Sequence, residues 1–129
     1  MAGPKSRVLE KLRRGELVRT TSFKLDDRSL EIGLTCGDFD CVWLDSEHQG
    51  IDHAKLESQI RLAKHRGVDT VIRVARGSYS DLIRPLEMDA SGIMVPHCMS
   101  AADARAIAEQ TRFHPIGRRP FDGSNADGD

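Results

Sequence analysis

Residues 41–50 read CVWLDSEHQG, an apolar run that ends in two acids, a histidine and a glycine. A short, continuous apolar run such as residues 40–45 is typical of a strand that is buried on both faces of a parallel sheet. The polar residues Asp45, Glu47 and His48 then follow at the carboxyl end of that strand. Because ligands of parallel α/β proteins bind at this edge of the sheet, the stretch predicts both a fold class and the location of a site.

Strand and helix patterns alternate on both sides of this stretch. The predicted strands lie at residues 17–22, 40–45, 69–74 and 92–96, and the predicted helices at residues 5–15, 28–36, 53–66 and 78–88 and from Ser100 onward. Asp52 is placed to cap one helix, and Ser78 and Ser100 each begin an S-x-x-D sequence that is typical of a helix start. The alternation predicts an α/β fold in which parallel strands are joined by crossover helices.

Length and charge narrow the class of protein. The chain has 129 residues, with 19 Lys and Arg against 20 Asp and Glu, so its net charge is -1. This length favours a single domain, and the balanced charge carries no basic footprint for nucleic acid or for an anionic membrane. No apolar run is long enough to span a bilayer, and the N-terminal residues lack the apolar core of a secretory signal. We therefore expect a cytoplasmic protein that binds neither nucleic acid nor membrane.

Three cysteines, Cys36, Cys41 and Cys98, occur without a C-x-x-C pair. An odd number in this arrangement argues against a disulfide framework. We expect all three to be small, buried, apolar side chains. The alternative is a zinc site made by Cys36, Cys41 and a histidine, although the C-x4-C spacing lacks the second ligand pair that such sites carry.

Polar residues near the ends of neighbouring strands suggest a reaction. Taken singly, Asp45, Glu47 and His48 also fit ordinary turn or surface roles. Arg73 is harder to explain, because a guanidinium inside an apolar strand needs a carboxylate partner, which Asp45, Glu87 or a substrate can supply. His48 can move protons near neutral pH, and a carboxylate behind it would increase its basicity. The set suits proton abstraction beside the carbonyl of a 2-oxo acid, but no lysine lies at a strand end to act as an electrophile.

Residues 39–50, FDCVWLDSEHQG, resemble the FD-x-x-x-x-D-x-EH motif of the HpcH/HpaI aldolases. These are class II pyruvate aldolases related to citrate lyase β subunits and macrophomate synthase. The resemblance continues through residues 71–120, which contain the strand arginine, a G-I-M-V-P strand at residues 92–96 and a G-x-R turn. It covers roughly residues 17–128, and the motifs occur in the same order at consistent spacing.

This resemblance implies a TIM (β/α)8 barrel that binds Mg²⁺, Mn²⁺ or Co²⁺. It implies cleavage of 4-hydroxy-2-oxo acids to pyruvate, or a related 2-oxo acid, and an aldehyde. By the same resemblance, His48 is the catalytic base, Arg73 holds the pyruvate carboxylate and steadies the enolate, and Glu87 increases the basicity of the histidine. Asp45 and Glu47 are implied as acids near the metal that do not coordinate it directly.

Two features depart from the family pattern. Asp89 stands where the family usually has glycine, and the family's direct metal ligands, a Glu and an Asp, are expected beyond Asp129. A full barrel typically has about 250 residues, whereas the patterns here predict about four βα units. We therefore expect residues 1–129 to be the N-terminal half of such a barrel, with residues 116–129 a loop on the active-site side that is cut short. We also expect this chain not to hold the metal tightly.

Three functions remain open at this point. The chain can be a piece of a longer metal-dependent lyase, which would bind a small 2-oxo acid and form a homo-oligomer at full length. It can be an active half-barrel that self-associates. It can also be a non-enzymatic remnant, or an interaction module that needs a separate C-terminal half.

Overall fold

The computed structural model describes residues 5–22 and 26–121, and these ranges contain four strands and five helices. The strands are β1 Thr20–Ser22, β2 Cys41–Asp45, β3 Asp69–Arg73 and β4 Gly92–Met94, and the helices are α1 Arg7–Arg13, α2 Asp27–Cys36, α3 His53–His65, α4 Tyr79–Glu87 and α5 Ala101–Thr111. All strands are parallel and neighbour one another in the order β1-β2-β3-β4. This unreversed order is that of consecutive βα units of a barrel, and it confirms the predicted partial barrel. No helix in these ranges is long and apolar enough to cross a membrane.

The helices begin where the sequence predicts, because their caps are local. The Asp52 side chain accepts a backbone N–H of α3 at 2.8 Å. Ser78 and Asp81 form a reciprocal capping box at the start of α4, and the Ser100 hydroxyl accepts the Asp103 N–H at 3.1 Å. Each cap satisfies backbone donors that the first helical turn leaves without a partner.

The apolar core lies on one face of the sheet. Val42, Leu44 and Ile72 from the strands pack against α2 and α3, whose Leu30 and Ile60 are fully buried. Side chains alternate between the two faces of a strand. The intervening residues therefore point to the other face. The sequence pattern predicts that this face is apolar as well, but its carboxyl edge is polar.

Two buried carboxylates hold α1 against the amino edge of the sheet. Asp69, the first residue of β3, accepts a hydrogen bond from the Ser6 hydroxyl at 2.6 Å. Asp40, directly before β2, lies 2.8 Å from the Lys11 ammonium. The pKa of Asp40 is lowered, first by the backbone N–H of Arg19 and then by Lys11, so this acid stays ionised although it is buried.

The cysteine prediction holds at one position of three. Cys41 is buried in β2, and burial raises the pKa of its thiol to about 11. Cys36 and Cys98 are exposed, so the prediction that they are buried is wrong. Cys36 ends α2, and Cys98 lies in the segment between β4 and α5.

Residues 116–121 are the described part of the predicted loop 116–129, and Arg119 attaches this segment near the ends of two helices. The Arg119 guanidinium donates to the carbonyl of Leu86 at 3.1 Å, and the Arg119 N–H donates to the carbonyl of Arg112 at 2.9 Å. Leu86 and Arg112 lie at the C-terminal ends of α4 and α5, which is the amino edge of the sheet. Residues 122–129 lie outside the described residues.

The backbone conformation of Asp89 explains why the family usually has glycine at this position. Asp89 follows α4 with φ of 71°, a conformation that glycine adopts without steric cost. Its carboxylate lies 3.3 Å from the Lys64 ammonium. Asp89 therefore combines a favourable ion pair with a backbone conformation that is unfavourable for any residue with a side chain.

The variants Asp89→Gly and Asp89→Ala separate the backbone term from the ion pair. Both remove the carboxylate, and only the alanine keeps a Cβ in the left-handed region. We expect the glycine variant to be more stable than the alanine variant by about 1 kcal/mol in urea-induced unfolding. Equal stabilities of the two variants would contradict the left-handed conformation.

Candidate active site

An ion pair joins the carboxyl ends of β2 and β3. Asp45 and Arg73 face each other in the strand register. The Arg73 Nε donates to Asp45 Oδ1 at 3.0 Å, and its Nη2 donates to Oδ2 at 2.6 Å. The same guanidinium lies over the Trp43 ring, 5.0 Å from its centroid. Of the partners that the sequence leaves open for this arginine, the structure selects Asp45.

This pairing fixes the charge of both groups. Hydrogen bonding from Arg73 lowers the pKa of Asp45 to about 2, and it outweighs the opposing effect of burial. The backbone N–H groups of Glu47 and His48 add to the effect, at 3.0 and 3.3 Å from Asp45 Oδ1. In return, Asp45 raises the pKa of Arg73 above its ordinary value. The acid thus orients both the arginine and the turn that carries the next two site residues.

Arg73 keeps an open edge. Asp45 occupies its Nε and one proton of Nη2, whereas Nη1 makes no hydrogen bond within the part of the chain that the structure describes. The Arg73 side chain is 26% exposed, against 5% for Asp45. A guanidinium has five N–H donors in a planar fork, so the remaining edge can take a second carboxylate through two hydrogen bonds.

Glu47 connects this arginine to two imidazoles. Its Oε2 lies 3.4 Å from Arg73 Nε and 3.4 Å from His48 Nε2, and its Oε1 lies 3.8 Å from His97 Nε2. The Glu47 side chain is 13% exposed, whereas His48 and His97 are largely exposed. A shielded carboxylate between two accessible imidazoles can stabilise positive charge on either ring.

The structure brings four of the five predicted site residues together. Asp45, Glu47, His48 and Arg73 form one connected group. Glu87 is not part of it, because it is the last residue of α4, which runs from the carboxyl edge back to the amino edge before β4 begins. The catalytic role of Glu87 stays a prediction.

Sequence reasoning assigned no role to a second group at this edge. Arg76, three residues after Arg73, donates to the carbonyl of His97 and to the carboxylate of Asp103. His97 itself has φ of 53°, in the left-handed region. A usable signal existed, since Arg76 and His97 are polar residues that each lie three positions after the end of a strand, β3 and β4 respectively.

The acids of this site do not make a divalent metal site by themselves. Asp45 is engaged by two nitrogens of Arg73, and Glu47 faces three cationic or protonatable groups. In residues 5–22 and 26–121, no three His, Cys, Asp or Glu side chains are grouped so that they could hold a metal ion. The zinc alternative that uses Cys36 and Cys41 finds no support in the same ranges. Hard divalent cations need several oxygen ligands, which this arrangement does not supply.

Comparison with known proteins gives aldolases among the relatives, and both aldolases and the citrate synthase SbnG (TM-score 0.80, 29% identity) among the solved structures. No protein-family model matches the chain. It is 32% identical over 116 residues to a 2-keto-3-deoxy-L-rhamnonate aldolase of Shigella sonnei, an alignment that covers 85% of this chain and 41% of that protein. A hydroxypyruvate/pyruvate aldolase of Rhizorhabdus wittichii is 27% identical, with 65% of this chain and 34% of that protein covered. The solved HpcH/HpaI aldolase of Desulfitobacterium hafniense matches with a TM-score of 0.82 at 26% identity, over 91% of this chain and 46% of that one. The chain thus spans less than half the length of these relatives.

We expect the free energy of unfolding of the variant Asp45→Asn to fall less than that of the wild type as the pH is lowered. The pKa of Asp45 is about 2 in the folded chain against an ordinary value of 3.8. The unfolded chain therefore binds a proton on Asp45 more readily, and the stability that this acid contributes is present above about pH 4 and lost as the pH falls toward about 2. Urea unfolding at several pH values should show a smaller loss for the variant in this window.

The variant Glu57→Gln, which removes a carboxylate on the exposed side of α3, controls for the loss of an acid as such. An Asp45→Asn chain that loses as much stability as the wild type between about pH 4 and pH 2 would contradict the pairing with Arg73.

Proposed function

Because this chain belongs to the HpcH/HpaI aldolase and citrate lyase family, we propose that it carries the anchoring and proton-transfer part of a carbon–carbon lyase. The substrate class that we propose is the 4-hydroxy-2-oxo acids, cleaved to pyruvate or a related 2-oxo acid and an aldehyde. The observation that carries the proposal is the open edge of Arg73, which is held by Asp45 within one connected group that includes His48.

Arg73 is the proposed anchor for the substrate carboxylate. Asp45 binds the Nε edge of the guanidinium, and the Trp43 ring lies against its plane. The guanidinium is therefore oriented before the substrate arrives. A pre-oriented fork loses little conformational freedom on binding, and it selects planar carboxylates over single-point anions. The names of two relatives, a 2-keto acid aldolase and a hydroxypyruvate/pyruvate aldolase, support a 2-oxo acid as the ligand.

His48 is the proposed base for the cleavage step. It takes the proton of the 4-hydroxyl group while the bond between C3 and C4 breaks. The hydroxyl electrons form the aldehyde carbonyl, and the electrons of the broken bond form the enolate of pyruvate. Glu47 lies 3.4 Å from His48 Nε2, where its carboxylate stabilises the charge that the imidazole gains.

A divalent metal enters this proposal only as a property of full-length members of the family. Mg²⁺, Mn²⁺ or Co²⁺ would act as an electrophile for the enolate. The described residues do not provide its ligands, so no step above depends on it.

The open edge of β4 favours a second candidate function, that of a module which needs a separate C-terminal half. A groove of about 590 Å³ lies along β4 and α5, and Arg119 lines it. Arg119 is only 8% exposed, its Nε has no hydrogen-bond partner, and no acid pairs with it in the described ranges. A strand that carries a carboxylate would fit both the free sheet edge and this cation.

Co-expression with the C-terminal part of the Shigella sonnei relative tests this second function. We expect the two pieces to purify as a stable complex, and the variant Arg119→Met to weaken it. A chain that remains alone when both pieces are soluble would contradict the module.

Binding of a pyruvate analogue can be followed through Trp43. It is the only tryptophan of the chain, and Arg73 lies 5.0 Å from its ring centroid. We expect oxamate, which has the shape of pyruvate, to change the tryptophan fluorescence in a saturable way. The variant Arg73→Lys keeps the charge but not the fork, and it should weaken oxamate binding by about tenfold or more.

Arg61→Lys is the matched control, because Arg61 pairs with Glu57 on the exposed side of α3. Its oxamate affinity should equal that of the wild type. Equal affinities of the Arg73→Lys variant and the wild type, or the absence of any saturable signal, would refute the anchor.

A further inference from the structure

We propose that His97 is a second proton-transfer residue, which exchanges a proton with C3 of the bound 2-oxo acid while His48 serves the 4-hydroxyl group. This inference rests on the proposed function. Its geometric basis is Glu47, which faces the two imidazoles with different oxygens: Oε2 lies 3.4 Å from His48 Nε2, and Oε1 lies 3.8 Å from His97 Nε2. Two rings that share one carboxylate can divide two proton transfers between them.

The backbone of His97 is held in an unfavourable conformation. Its φ of 53° lies in the left-handed region, which is sterically unfavourable for a residue with a side chain. Arg76 holds this turn, because its guanidinium donates to the carbonyl of His97 and to Asp103. Asp103 also accepts the N–H of Met99 at 3.1 Å, so the segment after β4 is fixed on both sides of Cys98. These contacts hold the backbone from which the His97 imidazole extends.

The charged groups around His97 come from three elements. Glu47 follows β2, Arg73 ends β3 and Arg76 follows it, and Asp103 lies in the first turn of α5. Asp103 is paired with Arg76, and Asp45 is paired with Arg73. Glu47, which also lies 3.4 Å from Arg73 Nε, is therefore the acid among these groups that faces both imidazoles.

The proposed step balances without any oxidant or reductant. In the cleavage direction, the His97 imidazolium gives its proton to C3 of the enolate. The electron pair of the C2=C3 double bond forms the new C–H bond, and C2 becomes the carbonyl of pyruvate. The proton that His48 took from the hydroxyl group can return to His97 through Glu47. In reverse, neutral His97 takes a proton from the methyl group of pyruvate.

The variant His97→Gly isolates the imidazole from the turn, because glycine adopts a φ of 53° without strain. The assay is exchange of the pyruvate methyl protons with D₂O, followed by NMR in a buffer that contains Mg²⁺. We expect exchange to slow by about a hundredfold in this variant, with unchanged oxamate affinity by Trp43 fluorescence. Added imidazole should restore part of the rate. His65→Gly on the exposed end of α3 is the control for loss of a histidine.

A second measurement needs no turnover. In the variant Glu47→Gln, the ring NMR signals of both His48 and His97 should shift, whereas those of His65 should stay in place. Unmoved His97 signals, or wild-type exchange rates in His97→Gly, would overturn the role of His97. A wild-type chain that binds oxamate but exchanges no deuterium would also overturn it and would leave the Arg73 anchor intact. Loss of oxamate binding itself would count against the proposed function instead.

Discussion

The paired fork between Asp45 and Arg73 is the interaction on which the rest of this site depends. It can form because β2 and β3 are parallel and in register, so that both residues reach the same face at the same edge. The Asp45 carboxylate also accepts the N–H groups of Glu47 and His48, and it thereby places the next two site residues. One buried acid thus sets the arginine, the turn and the unused edge of the guanidinium together.

Much of the fold follows from the sequence because its determinants are local. The apolar strand before Asp45 and the capping residues Asp52, Ser78 and Ser100 act within a few positions of themselves, and the structure has an element at each. The register of β2 and β3 is less local, yet a charged residue inside the apolar strand already indicated that Arg73 needs a partner. Which of the candidate partners binds Arg73 depends on which edge of the sheet each candidate lies at.

The features that the sequence analysis did not indicate share a physical cause, which is contact between distant segments. Glu87 is close to the next strand in sequence, but the direction of α4 carries it to the opposite edge. The pair of Arg76 and Asp103 joins residues 27 positions apart, and no local pattern marks it. The burial of Asp40 depends on α1, whose Lys11 reaches it from 29 positions away. Periodicity and capping rules hold no information about such pairs.

The central claim is that Arg73 binds the carboxylate of a 2-oxo acid on the edge that Asp45 leaves open. Side-chain ¹H–¹⁵N NMR of the arginine guanidinium groups during an oxamate titration tests this claim most directly. The account predicts that the Nη signals of Arg73 shift and saturate while its Nε–H signal, bound to Asp45, stays in place. Nη signals that do not respond, or an Nε–H signal that moves because oxamate displaces Asp45, would contradict it.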